Sequence, residues 1–424
     1  MKKLVVLPLL VLFVSVPCKA PVRAVSAPAL IEVVQSPKPL LALDLYKDIL
    51  RSRGQKLEDQ GVLIESLDGR QCFAEHNPGI TFNPASVMKL ATSLAALSTL
   101  GPDYRYRTNF RADGAVDVGT RRLTGDLVVD GGANPMFSAE DAQQVGSQLS
   151  HLGISVVTGG LRVCGPFYYF ATGYHLNLSR ETSAAKLRLA LQRAGIRIQG
   201  ATSFGEPAGA ILLSHYSDQL VRILLYQNAH SSNAIAEVVG ESVGGPKAIQ
   251  DFLVGRIGLL DSEVYVGRAS GLEFNRITPK AALKVLRALI ANLAERGLKP
   301  DDVMPLAGVD SGTLRGRLSG QEIRGAVVAK TGTLNSLDNG VSTLVGVAYT
   351  RMLGPVLFAV LNSGGSVHTY RRLQDQFIAQ LLQEEGGPAP LRRSEDALAE
   401  MAHDSIVQVL YNPKSDHPSD NAAD

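Results

Sequence analysis

Four short stretches carry residues whose types and spacing could do nucleophilic chemistry. Ser86 and Lys89 lie three apart in "NPASVMKLAT", Asn83–Thr92. Residues three apart on a helix share a face, so the lysine amine can reach the serine hydroxyl. A neutral amine there could take the serine's proton and make the oxygen a nucleophile. Neutrality calls for burial and nearby positive charge, and Lys330 is the candidate source of that charge. A helix start also turns free N–H groups and its positive dipole end toward a developing anion. Alone, the pair reads equally as a capping serine and a surface lysine. "SAAK", Ser183–Lys186, repeats the spacing and serves as a control. Its helix also carries Arg188 and Arg193, which predicts a capping serine and a wet basic face.

Ser231-Ser232-Asn233 fall where a helical pattern breaks. The serine could relay a proton to a leaving group, and the amide could hold a substrate carbonyl. The same residue types are favoured helix N-caps. Lys330-Thr331-Gly332-Thr333 sit in a β-branched run that predicts a strand. A lysine with two hydroxyls suits a carboxylate, and a strand N–H can complete an oxyanion hole. Glycine inside a strand marks a close approach, often of a ligand. "GESVG", Gly240–Gly244, fits the nucleophile elbow of hydrolases, but "NAIAEVV" before it is helical where the elbow needs a strand. His230 adjoins Ser231, and adjacent residues seldom face each other.

These motifs need elements to hold them. "GVLIESLDGRQCFAEHNP" predicts a hairpin turning at Asp68-Gly69. After Pro84, Leu90, Leu94, Leu97 and Leu100 recur at helical spacing until Gly101-Pro102. Residues 105–205 differ in texture. "TGDLVVD" reads as a strand, "AEDAQQVGSQLSHLGI" as a helix, "SVVTGGLRV" as a strand and "SAAKLRLALQRAGI" as a helix. Residues 211–300 are mainly helical, with two helices broken near His230–Asn233 and a strong helix in "TPKAALKVLRALIANL". Three strands follow, "GAVVAKTGTL", "VSTLVGVAYT" and "VLFAVLNSG". Strands at both ends with helices between predict one sheet built from both ends of the chain.

Composition narrows the setting. Of 424 residues 45% are hydrophobic and 19% charged, enough for a large core and too few charges for general disorder. Residues 1–20 have Lys2 and Lys3, an apolar run Leu4–Val16 and a small Ala20. This predicts a secretory signal peptide, followed by a Pro-rich linker over 21–41. The net charge of +2 comes from that leader, so nucleic acid is not an expected partner. Cys72 and Cys164 could pair or stand separately. The eight histidines show no H-x-x-x-H, and no metal site is expected.

The three motifs, in this order, occur together in serine penicillin-binding proteins and β-lactamases. The sequence resembles more specifically the S13 (penicillin-binding protein 4 type) D-alanyl-D-alanine carboxypeptidases/endopeptidases. The blocks "FNPASVMKLATSLAALSTLGPDYRYRT", "GDLVVDGGANP", "SGLEFNRITP", "AGVDSGTLRGR" and "AKTGTLNS" carry the resemblance. It implies an α+β fold of the penicillin-binding/β-lactamase type: an antiparallel sheet flanked by helices, a helical subdomain and a small inserted α/β domain. The implied layout is a discontinuous peptidase domain over 42–108 and 208–385, an insert over 109–207, and a C-terminal helix and disordered tail over 386–424.

By this match Ser86 is the acylated nucleophile and Lys89 its base, Ser231 and Asn233 form the second motif, and Lys330 belongs to the third. Thr331, Gly332 and Thr333 line the substrate-carboxylate side, and the Ser86 and Thr333 N–H groups form the oxyanion hole. The implied substrates are peptidoglycan stem peptides, with β-lactam antibiotics as acylating inhibitors, no cofactor, and a periplasmic or extracytoplasmic location. Carboxypeptidase and endopeptidase action both stay open, as does the oligomeric state. The insert is shorter than the family's usual one. Cys164 and Arg268-Ala269 stand where acidic residues are common. The rivals are a β-lactamase-like hydrolase, whose E-x-x-L-N loop this sequence lacks, and a catalytically weakened cell-wall-binding protein of the same fold.

Overall fold

Alternation along five strands sorts their side chains into two cores. In a computed structural model, which describes residues 40–171, 175–177, 179–393, 395–398 and 404–412, these strands form one antiparallel sheet. Its order is Val327–Leu334, Val341–Thr350, Gly354–Asn362, Gln60–Ser66 and Cys72–His76. Gly354–Asn362, the last of these strands in the chain, pairs with Gln60–Ser66, the first, with Leu63 opposite Ala359, so the sheet does join early and late parts of the chain. Val328, Val345, Leu357 and Leu361 face one cluster. Their neighbours Val327, Leu344, Phe358 and Val360 face the other. Period-two alternation produces that division, and helices cover both faces, so the strands read as nearly continuous apolar runs.

Helices Leu41–Ser52 and Val367–Glu384 supply Tyr46, Leu50, Phe377 and Leu381 to one face. Leu41, placed by sequence at the end of the linker, therefore opens a helix. The other face carries helices Lys89–Leu100, Leu220–His230, Asn233–Glu241, Gly245–Gly255 and Pro279–Ala294. Helix Lys89–Leu100 is buried continuously from Lys89 to Leu97. An all-round buried helix belongs to the core, and truncating one of its leucines would cost about 2–5 kcal/mol. This helix holds the Ser86 turn in place.

Residues between these parts, joined by one strand from after residue 400, build a second, mixed sheet of eight strands with its own core, including Phe110, Leu127, Val145, Leu161 and Leu187. Helices Ala139–His151 and Arg180–Arg193 stand where the periodicity puts them. "SVVTGGLRV" differs: it splits into strands Val156–Val157 and Leu161–Cys164. The break falls at Gly159 and Gly160, against which the backbones of Gly125 and Ala201 press too closely for a side chain. The sheet also uses strands Arg107–Asp117 and Ala210–Tyr216, so it reaches past residues 109–207 on both sides.

The expected C-terminal helix is a correction: the described residues after Glu384 contain no helix. Strand Ile406–Val409 instead pairs antiparallel with Ala210–Tyr216, Leu213 opposite Val409. The segment is anchored by the Arg105–Asp404 ion pair (2.9 Å) and by Ser405 Oγ donating to Asp141 Oδ1 (2.6 Å). An open sheet edge takes up a short β-branched stretch such as Ile406-Val407-Gln408-Val409 more readily than a short helix can nucleate. The proposed leader and the linker up to residue 39, and the tail from 413, lie outside the described residues. Among the described residues no helix is long and apolar enough to cross a membrane.

Candidate active site

Ser86 sits in a 3-10 turn, Ala85–Met88, that leads directly into helix Lys89–Leu100. Ala85 has φ 47°, a left-handed conformation that costs a non-glycine residue on the order of 1–3 kcal/mol. Its surroundings hold it there. Asn83 Oδ1 accepts the Ala85 N–H at 3.0 Å, and Ala85 is fully buried. Gly271 lies so close that a Cβ would come within 1.9 Å of the Ala85 carbonyl oxygen. The "SGL" loop therefore closes against the back of the nucleophile turn.

Lys89 has no solvent exposure. Its Nζ lies 2.8 Å from Ser86 Oγ, 2.7 Å from Asn233 Oδ1 and 2.6 Å from the Ser270 carbonyl. A neutral amine has two N–H groups and one lone pair. The two carbonyl oxygens can accept both N–H groups, which leaves the lone pair facing the serine hydroxyl. Burial first, and then the charge of Lys330, hold Lys89 well below the ordinary lysine range, with Glu237 opposing. The hydrogen-bond count and the electrostatics thus favour the same protonation state. Glu237 Oε1 accepts the Ser270 N–H at 3.1 Å and so fixes the carbonyl that Lys89 meets.

The second motif straddles a sharp reversal. Ser231 ends helix Leu220–His230 in a left-handed conformation, and Ser232 Oγ accepts the Ile235 N–H to cap helix Asn233–Glu241. The capping expectation thus holds for Ser232, while Ser231 and Asn233 reach the neighbouring motifs. Lys330, also without exposure, brings Nζ to 2.9 Å from Ser231 Oγ and 2.7 Å from the Thr331 carbonyl. Burial lowers its pKa to about 7. Ser86, Lys89, Asn233, Ser231 and Lys330 therefore form two linked lysine–serine pairs from three distant parts of the chain.

Strand Val327–Leu334 is the outer strand of the central sheet. Val327 and Ala329 already use their outward groups, accepting from Ala307 N–H and donating to the Pro305 carbonyl. Backbone groups alternate sides along a strand, so Thr331 and Thr333 also present theirs to the open edge. At Gly332 a Cβ would lie 2.1 Å from Thr343 Oγ1 and 2.6 Å from the Pro84 carbonyl oxygen. The close approach marked by this glycine is thus that of the protein's own nucleophile turn. Thr343 Oγ1 donates to that same carbonyl at 2.8 Å.

Several contributing residues carried no sequence signal of their own. Thr313 Oγ1 meets Thr331 Oγ1 at 2.8 Å while its N–H donates to the Ala229 carbonyl at 2.8 Å, tying the second motif to the third. Arg371 Nη2 donates to Thr333 Oγ1 at 2.8 Å. Ser270, Glu237, Thr313, Thr343 and Arg371 act through separations that no local pattern reveals, although "SGLEFNRITP" and "AGVDSGTLRGR" marked two of the segments.

Ser242 of "GESVG" follows a helix and donates to the Val238 carbonyl at 2.8 Å, so there is no strand-borne elbow. Ser183 is a partial correction. The helix cap is Ser179, and Ser183 is buried with its Oγ accepting the Tyr169 N–H at 3.2 Å. Lys186 makes no hydrogen bond or ion pair among the described residues. Cys72 and Cys164 are both free.

A serine one turn before a buried lysine, beside a sheet whose outer strand bears Lys-Thr-Gly, defines the class that includes serine penicillin-binding proteins and β-lactamases. Within that class the chain belongs to the D-Ala-D-Ala carboxypeptidase 3 (S13) family, whose model matches residues 48–166 and 177–384. It is 33% identical over 100 residues to a D-alanyl-D-alanine carboxypeptidase of Actinomadura sp. (strain R39). That match covers 24% of this chain and spans 18% of the relative's length. Among solved structures it is similar to penicillin binding protein 4 of Haemophilus influenzae, with TM-score 0.65, 20% identity, and 80% of this chain and 98% of that chain covered. It is also similar to a penicillin G-acylated predatory endopeptidase of Bdellovibrio bacteriovorus, with TM-score 0.65, 22% identity, and 79% and 95% covered. At these identities the two structures establish the fold.

Proposed function

We propose that this chain is an exported serine peptidase that cleaves D-Ala-D-Ala-type bonds in peptidoglycan stem peptides through a Ser86 acyl-enzyme. The observation that carries the reading is the Lys89 environment. Its amine is buried and 2.8 Å from Ser86 Oγ, and its two other partners are carbonyl oxygens. Lys89 takes the Ser86 proton as Oγ attacks the scissile carbonyl. The oxyanion meets the N–H groups of Ser86 and Thr333. Collapse of the tetrahedral centre breaks the C–N bond, and Ser231, held by Lys330, relays the proton taken up by Lys89 to the departing amine. Asn233 orients the acyl side, and Lys330, Thr331 and Thr333 hold the substrate's carboxylate. Water then attacks the ester and Ser86 regains its proton. β-Lactams enter the same path, because their strained amide presents the same carbonyl and carboxylate.

The test is intact-mass analysis after incubation with penicillin. The wild type should gain one adduct and Ser86→Ala none. Folded wild type that gains no adduct would sink the reading, and an adduct on Ser183 or Ser242 would relocate it. Export is checked by whether the secreted or periplasmic protein begins after the Leu4–Val16 apolar run.

A further inference from the structure

A cavity of about 390 Å³ opens beside the Lys330 strand, lined by Thr331, Arg317, His368, Arg371, Arg372 and Asp375 among others. Its charges are unevenly matched. Arg317 is committed within the protein: Nε and Nη2 donate to the Asp375 carboxylate at 3.0 and 2.8 Å, and Nη2 also reaches Gln374 Oε1 at 3.0 Å. That ion pair engages the cavity's carboxylate. Arg371 and Arg372, on the first turns of helix Val367–Glu384, add two more guanidiniums, and Arg371 shares the same Asp375 charge, so three cations face one carboxylate. Arg371 gives one N–H to the neutral Thr333 hydroxyl. Arg372 makes no hydrogen bond or ion pair among the described residues.

The position of the cavity matters as much as its sign. Thr331 belongs both to the cavity wall and to the outer edge of the strand, and Arg371 touches Thr333 directly. The cavity thus continues from the side of the site that takes the substrate carboxylate. One carboxylate is already provided for by Lys330, Thr331 and Thr333. Two further guanidiniums, with their fork of donors, match another carboxylate lying farther along the departing group. A single D-alanine has no second carboxylate. The leaving half of a cross-linked stem peptide does.

We propose that this cavity is a leaving-group subsite for a peptide bearing a second carboxylate, so that cross-links are cleaved in preference to single terminal D-alanines. The proposal rests on the peptidase reading above. Its test compares kcat/KM on a cross-linked stem-peptide dimer with that on the same dimer whose leaving half is amidated at every carboxylate except the one next to the scissile bond. The wild type should favour the charged dimer by about tenfold or more, the scale of one charge-assisted hydrogen bond. Added salt should erode that preference, because the cavity is open to solvent.

Arg372→Gln should reduce the preference, and Arg371→Gln with Arg372→Gln should bring it close to one. Arg372 is exposed and has no hydrogen-bond or ion-pair partner among the described residues, so its variant should fold normally. Penicillin acylation of Arg372→Gln, measured by intact mass, should be unchanged. Equal wild-type rates on the two dimers would overturn the proposal. So would failure to cleave either dimer, or a preference that survives in both variants. Loss of penicillin acylation in the wild type would instead count against the peptidase reading itself.

Discussion

The two Ser-x-x-Lys pairs share a spacing and little else. Ser86 and Lys89 stand at the start of a core helix, and Lys89 meets groups from two other segments, Asn233 and Ser270. Ser183 is fully buried where Ser86 is only partly so, but its hydroxyl braces the backbone of Tyr169, and Lys186 reaches toward a cavity wall shared with Glu140 and Arg193. Burial of the serine is therefore no mark of a nucleophile. What separates the pairs is the desolvation of the lysine, together with carbonyl oxygens that accept its two N–H groups and leave its lone pair free.

The sharpest way to break this comparison is to exchange losses between the pairs. Lys89→Ala should slow penicillin acylation by about 10²–10⁴-fold, the range for removal of a general base. Lys186→Ala should leave the rate unchanged in the same stopped-flow assay. Comparable losses in both variants would erase the distinction. Next in size is Gly332→Ala. Its new methyl would drive the strand away from Pro84 and Thr343, slowing acylation and lowering stability by about 1–3 kcal/mol, seen as a shifted denaturation midpoint.

The third prediction concerns protons. Lys330 is lowered from 10.5 to about 7 by burial. Between those values the unfolded chain holds a proton that the folded chain has released. The contribution of Lys330 to stability should therefore rise with pH across that window, by at most about 1.4 kcal/mol per pH unit, and be fully lost below pH 7. Lys330→Met should remove that slope from urea melts taken across the window. Because Lys330 also helps to hold Lys89 neutral, the same variant should move the rising limb of the acylation pH profile upward. A limb that stays in place would mean burial alone sets the Lys89 value.

The smallest effect is expected at the control site. Ser183→Ala should cost about 1–3 kcal/mol by leaving the Tyr169 N–H without this partner, read as a lower melting temperature with an unaltered acylation rate.

Much of this arrangement is legible in the sequence. Ser86, Lys89, Ser231, Asn233 and Lys330 are all singled out, because each motif pairs a reactive type with a recognisable local element. The hairpin at Asp68-Gly69 and the helices 139–151 and 180–193 are readable because their periodicity is local. Strand Ile406–Val409 is not, since a four-residue stretch takes the conformation that an available sheet edge offers it. The cap at Ser179 rather than Ser183 was missed for a similar reason: several adjacent polar residues can cap a helix, and packing picks one.

By itself the sequence determined the order of the motifs, the face each side chain would take and the family to which the chain belongs. Only the tertiary structure decided what each lysine meets. A carbonyl at Ser270, an amide at Asn233 and a second buried lysine 241 positions from the first are brought within reach by long-range packing. Desolvation and Coulomb interaction depend on distance in space, which residue spacing along the chain does not contain.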